Sequence, residues 1–213
     1  MAVLEFALLQ LRPNYDRSAL LQVLQHLLPV QDEWMCQNRS QWPKEDSHSH
    51  LSTTFITAEN PPFLLIMAPW ESPEAHEQWI QSRENQSGFK VLEEFLASGE
   101  NSLSLFHMTP VWGSAESLPP LKNISDLHVF RASVTQTEKS GVEELYQDVI
   151  KNLLGSAGEV VLFWCGWRIE KSEHDELEEL VVLTTSNYCI EKFRDSLNAV
   201  WMSNLRYIRL TKH

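Results

Sequence analysis

Apolar and polar positions in this chain change period several times, and the changes mark the elements. Val3 to Leu11 is nearly continuous apolar sequence and predicts a strand, ended by Arg12-Pro13-Asn14-Tyr15. Leu20, Leu21, Leu24, Leu27 and Leu28 recur at helical spacing, which predicts a helix from Arg17 to Leu28 stopped by Pro29. A second strand is expected over Asp32 to Asn38, followed by a polar hairpin loop from Ser40 to Ser52. Thr53 to Ala58 and Phe63 to Pro69 then read as a third strand, bent or in two pieces around Asn60-Pro61-Pro62. Ser72-Pro73 is a helix start, with Ser as cap and Pro in the first turn; the helix runs to Glu84, breaks over Asn85 to Gly88 and resumes from Phe89 to Ala97. Leu103 to Thr109 predicts a fourth strand.

After a Pro- and Ser-rich stretch the order comes again. Leu127 to Val134 predicts a strand, and Ser140-Gly141-Val142-Glu143 a capping box that opens a helix to Leu154. Glu159 to Ile169 and Leu177 to Thr185 predict strands around an acidic loop, Ser186 opens a helix to Trp201, and Leu205 to Leu210 closes the chain as a strand. Two segment pairs look alike across the halves: Met35-Cys36-Gln37-Asn38-Arg39 with Trp164-Cys165-Gly166-Trp167-Arg168, and the stretch from Ser72 to Trp79 with that from Ser186 to Phe193. The reading is α+β: two tandem ferredoxin-like βαββαβ repeats, residues 1–110 and 126–213, joined by a linker over 111–125. Both helices of each repeat lie on one sheet face. Runs such as Val160 to Trp164 and Phe63 to Met67 are apolar on both faces, so the two sheets are expected to pack back to back within one chain.

Composition narrows the function. The net charge is -12 over 213 residues, which disfavours nucleic acid and anionic membrane surfaces as partners. No run reaches the length of a membrane span, and the apolar N-terminus lacks a basic region and carries Glu5, unlike a signal peptide. Three cysteines without framework spacing fit a reducing compartment, taken as cytoplasmic; Cys36 and Cys165 read as small core residues on strands. The expected state is a monomer with an internal pseudo-dimer, with further dimerisation through exposed helices left open.

The run Pro69-Trp70-Glu71-Ser72-Pro73-Glu74-Ala75-His76-Glu77-Gln78-Trp79, on this element order, resembles the dimeric α+β barrel superfamily. It is closest to the antibiotic-biosynthesis-monooxygenase-like and stress-responsive barrels, fused in tandem. The second copy keeps Ser186, Glu191 and Phe193 but has Thr184 in the place of Trp70. The resemblance implies a ligand pocket between sheet and helices. It also implies one of several activities: cofactor-independent oxygenation of polyphenols, polyketide cyclisation, isomerisation or haem degradation, besides members with no known chemistry.

His76 is the leading candidate acid/base, because Trp79 and Ile80 share its helix face and turn it inward; a hydrogen-bonded, inert boundary histidine is the alternative. His107 shares a strand face with Leu103 and Leu105, and His128 one with Phe130 and Ala132; either is a catalytic candidate or a satisfied core residue. Arg131, on the opposite face, would hold a substrate carboxylate or an internal Glu. Trp70, Trp79, Trp164, Trp167 and Tyr188 would wall an aromatic site or simply pack the core. His48 and His50, near Glu45 and Asp46, lack a third spaced ligand and read as a solvated loop, so no metal is expected. Haem ligation by His26, His76 or His107 has no motif behind it, and no cofactor is expected. The leading reading is a cofactor-independent cyclase, isomerase or monooxygenase acting on an aromatic or polyketide-like intermediate. The rival is a non-catalytic binding or stress-responsive barrel, with cavity geometry to separate them.

Overall fold

The computed structural model describes residues 2–38, 51–57, 60–99, 102–111, 121, 124–154, 162–171, 177–186, 191, 193, 195–196 and 200–209. Strand β1 (Val3–Gln10) leads into α1 (Arg17–Asn38), β2 (Thr53–Thr57), β3 (Phe63–Met67) and its short continuation β4 (Pro69–Trp70). Then come α2 (Pro73–Gln81), α3 (Arg83–Leu92), a 3-10 turn at Glu93–Phe95 and β5 (Leu103–Pro110). The second half contributes β6 (Asp126–Thr135), α4 (Lys139–Leu154), β7 (Phe163–Arg168), β8 (Leu177–Thr184) and β9 (Val200–Arg209).

All pairings are antiparallel, in the order β3-β2-β9-β6-β8-β7-β5-β1-β4. Because β1 also pairs with β3, the sheet curls back on itself and closes. The halves meet at two seams, β2 with β9 and β5 with β7. Alternation along each strand then sends one set of side chains into the barrel and the other outward. Leu4, Phe6, Phe106, Met108, Val129, Trp164, Val181 and Leu183 fill the shared interior. Glycine at 166 is demanded there, since a Cβ would stand 2.3 Å from the Trp164 ring. The outward set packs under helices: Ala7, Leu9 and Leu64 with Leu20 and Leu24 of α1, and Phe130, Phe163 and Val182 with Val142, Tyr146 and Val149 of α4.

Several expectations need correction. Pro29 does not stop α1, which continues to Asn38. A proline costs a helix one donor and some room, and here Gln31 and Met35 prolong the buried stripe of Leu20 and Leu24 across it. There is no strand at 32–38; Cys36 is exposed on the helix, whereas Cys165 is buried on β7 as expected. The resemblance of Met35–Arg39 to Trp164–Arg168 therefore joins a helix to a strand and marks no equivalent position. The two pieces around Asn60-Pro61 are separate strands, β2 and β3, hydrogen-bonded to each other across a cis peptide. Ser82, rather than Asn85–Gly88, separates α2 from α3 and caps the latter through Asn85 N–H. Gly88 lies inside α3, where a Cβ would reach within 2.6 Å of Leu27 on α1. The second-half helix begins at Lys139, so Ser140 sits inside its first turn and forms no capping box. Trp201 belongs to β9.

Candidate active site

Between the outer face of β1, β3 and β5 and the helices α1, α2 and α3 lies a cavity of about 480 Å³. That volume suits a ligand of a few rings. Its wall is mostly apolar, with Ala7, Leu9, Leu24, Ile66, Trp79, Phe89 and Leu105 among the lining residues. Glu5 and His76 form one polar spot in this wall, and Gln31, Glu84, Asn85 and Gln86 are also polar lining residues.

Local rules place the two acid/base groups. Ser72 caps α2 by accepting from Ala75 N–H at 3.3 Å, and Pro73 opens the helix, so His76 falls where the first full turn meets the sheet. Glu5 takes the outward phase of β1, in register with His107 directly across on β5. Trp70 of β4 lies beside β1 and donates its indole Nε1–H to Glu5 Oε2 at 2.7 Å. The His76 ring stacks on Trp70, 4.6 Å between centroids, and its Nε2 stands 3.6 Å from Glu5 Oε2. On its other side Nδ1 bonds His107 Nε2 at 2.8 Å. His107 Nδ1 in turn lies 2.5 Å from Glu170 Oε1, while the His107 backbone N–H donates to Glu170 Oε2 at 2.8 Å.

Burial sets the protonation of the inner pair. Glu5 is almost wholly shielded from solvent, and desolvation pushes its carboxyl up to about 8 despite the opposing hydrogen bond from Trp70. His76 is lowered to about 3, chiefly by burial and further by the charge of His107. At neutral pH Glu5 therefore mostly keeps its proton and His76 mostly lacks one. A carboxyl that titrates this near neutrality can both take and return a proton.

Among the other sequence candidates, Trp79 lines the cavity, and Trp70 supports it from behind in a cluster with Trp34 and Trp79. Trp164 is buried inside the barrel, and Trp167 packs with the second-half cluster beneath Lys139. Arg131 points into the barrel, over Phe106, and is held by Glu179, which also binds Arg168 at 3.0 Å; the internal Glu is its partner. His128 lies on the outer face of β6, near Phe130 and away from the cavity. Tyr188, His48 and His50 lie outside the described residues. Glu5 and Glu170 were not among the sequence candidates. The signal for Glu5 was a lone carboxyl inside an apolar strand; Glu170 carried none.

Of the three histidines weighed for haem, His76 and His107 are engaged in the site and His26 lies away from the cavity. His26 is exposed and bonded to its own helix at Gln22, His107 has both nitrogens engaged, and His76 turns its remaining nitrogen onto Glu5. Among the described residues no cluster of metal-ligating side chains occurs, and no helix is long and apolar enough to cross a membrane.

No family model matches the sequence, and no curated protein matches it. Solved structures do. A candidate monooxygenase from Lactobacillus acidophilus NCFM superposes with a TM-score of 0.60 at 7% identity, over 99% of this chain and 94% of that one. An anthrone oxidase-like protein gives 0.54 at 12% identity, over 98% and 91%. A chlorite dismutase variant from Candidatus Nitrospira defluvii gives 0.51 at 9% identity, over 98% and 92%. These proteins are members of the dimeric α+β barrel superfamily. The chain has their fold.

Proposed function

We propose that this protein is a small-molecule enzyme of monooxygenase type. It would bind an aromatic, largely apolar substrate in the first-half cavity and start the reaction by taking a proton from it at Glu5, beside His76. The observation that carries this reading is a buried carboxyl and a buried imidazole set together in a mostly apolar cavity wall. Neighbours named monooxygenase and anthrone oxidase-like support it.

The chemistry suits an activated methylene or phenol. Glu5 in its carboxylate form removes a proton from R₂CH₂, and the carbanion passes an electron to O₂. The radical pair then combines to the peroxide anion R₂CHOO⁻, Glu5 returns the proton to give R₂CHOOH, and loss of water leaves R₂C=O. One O₂ is consumed and one H₂O released, and the substrate supplies all the electrons, so the sequence calls on no cofactor. Apolar walls keep water from the carbanion. Two tandem βαββαβ units, divided at residues 111–125, account for the repeated strand order β2-β3-β1-β5 and β7-β8-β6-β9. In this reading the second unit closes the barrel and the first holds the substrate, within a cytoplasmic monomer.

The test is ligand identification by mass spectrometry of the purified protein, followed by oxygen uptake with that compound and with anthrone-like phenols. Glu5→Gln keeps the shape of the site and the Trp70 bond, and should lower turnover about 10²–10⁴-fold. Turnover without oxygen uptake would mean a cyclase or isomerase on the same pair. An unchanged rate in Glu5→Gln would remove the assignment.

A further inference from the structure

We propose that Glu5, His76, His107 and Glu170 form a proton path from the cavity to the protein surface, through which Glu5 exchanges its proton with water. The path rests on the reading of Glu5 as the group that takes the substrate proton, and it adds two groups that never touch substrate.

One assignment of the ring protons gives the row a single direction. A Glu170 carboxylate can only accept, so the 2.5 Å contact places a proton on His107 Nδ1. In the tautomer that leaves His107 Nε2 bare, His76 donates from Nδ1 across the 2.8 Å contact. That leaves the His76 Nε2 lone pair turned toward Glu5 Oε2, 3.6 Å away. Shortening this gap by roughly 0.6 Å gives an ordinary hydrogen bond. Every donor in the row thus faces an acceptor in the same sense, from cavity to surface. At the outer end the Glu170 side chain is 39% exposed, whereas the Glu5 side chain is 6% exposed.

One concerted shift moves one proton and no electrons. The Glu5 proton passes to His76 Nε2, the His76 Nδ1 proton to His107 Nε2, and the His107 Nδ1 proton to Glu170, which releases it to water. Both imidazoles end neutral in their other tautomer and Glu5 is a carboxylate; a half-turn of each ring restores the starting arrangement before a second proton follows. Glu5 rests mostly protonated and acts as a carboxylate, so it must lose a proton before it can take one from substrate, and the row gives that proton a route to water. His107 and Glu170 are positioning and relay residues in this scheme.

Infrared spectroscopy after rapid dilution into D₂O at pH 6 reads the path without substrate. The protonated Glu5 carboxyl band, identified by its loss in Glu5→Gln, shifts when its proton exchanges. In His107→Gln, which retains polar contacts but cannot relay, exchange should slow at least tenfold; in Glu170→Gln, at the exposed end, it should slow severalfold. Near-UV circular dichroism confirms that both variants are folded, and the surface substitution keeps the test alive if His107→Gln is not. Exchange as fast as in the wild type in the folded variants would show that the proton travels through the cavity, and would overturn the path. Absence of a Glu5-dependent carboxyl band at pH 6 would overturn it as well. Slowed exchange in a protein that oxidises no phenol would leave the path standing and remove the function. Phenol oxidation with unchanged exchange would do the reverse.

Discussion

The two sides of the barrel solve the same packing problem differently. Each half covers the outer face of its strands with helices. Among the described residues of the second half, aromatic side chains pack that face: Phe130 stands on the outer face of β6, Tyr146 stacks on Phe163 at 5.6 Å, and Phe193 meets Phe163 edge-on at 5.4 Å. In the first half the outer face of β1 carries Ala7 between Glu5 and Leu9, and the room left by that small side chain is part of the cavity. Aromatic filling contributes dispersion and burial, and gives up any binding space. The first half gives up some of that burial and places a carboxyl and an imidazole in low dielectric, each with its charged form disfavoured. Among the described residues, then, the first half pairs a cavity with two acid/base groups and the second presents a packed aromatic cluster.

The comparison breaks most visibly at Phe130. It is 3% exposed, and Phe130→Ala should cost about 3–5 kcal/mol. Urea unfolding measures this. Ligand binding by the folded variant should be unchanged, and a loss below ~1 kcal/mol would mean the second half is not packed as a core.

The inner pair sharpens the contrast through pH. His76, depressed from 6.5 to about 3, binds its proton in the unfolded chain first, so its contribution to stability is present above pH 6.5 and lost as pH falls toward 3. Glu5, raised from 4.5 to about 8, behaves oppositely: its contribution is complete below 4.5 and lost as pH rises toward 8. Between 4.5 and 6.5 the two slopes oppose each other. Above 6.5 the Glu5 slope stands alone, up to about 1.4 kcal/mol per pH unit. Urea midpoints from pH 6 to 9 should therefore fall in the wild type and fall less in Glu5→Gln. Parallel curves would contradict the burial assigned to Glu5.

Much of this arrangement was legible in the chain, for reasons that also mark where legibility ends. The strands β1, β5, β6 and β8 and the starts of α1 and α2 were readable because each such segment carries its own period. His76 was readable because the Ser72-Pro73 start and the spacing to Trp79 and Ile80 orient a helix face without tertiary information. His107 was readable as a face-mate of Leu103 and Leu105, but its partner was not. Glu170 is 63 residues away, across the β5–β7 seam, and no local pattern encodes a seam. Glu5 stood in plain view as a charge in an apolar run, yet its meaning depends on Trp70, 65 residues on. Pro29 misled because its local cost was weighed without the buried stripe that continues beyond it.

Filling the first half as the second is filled should erase the difference. Ala7→Phe projects a ring into the cavity, and overpacking of this kind costs about 1–3 kcal/mol where the surroundings must give. Here much of the ring can occupy existing space, so the lower end is expected by urea unfolding. Binding of an apolar fluorescent dye, or recovery of co-purified ligand, should be lost. Undiminished binding would mean that ligands sit elsewhere.

The smallest effect concerns one hydrogen bond. Trp70 Nε1 donates to Glu5 at 2.7 Å and holds the carboxyl below the value burial alone would impose. Trp70→Phe keeps a ring for His76 to stack on, removes the donor and leaves a small void where the second ring stood. A net hydrogen bond is worth about 0.5–1.5 kcal/mol, equivalent to roughly one pKa unit or less. The carboxyl should therefore titrate higher by up to that amount, read from its infrared band across pH 6 to 10. Fewer Glu5 side chains would then be ionised at neutral pH, and turnover there should fall severalfold while recovering at higher pH. A downward shift would mean that another donor replaces the indole, and that the carboxyl is held by the cavity rather than by β4.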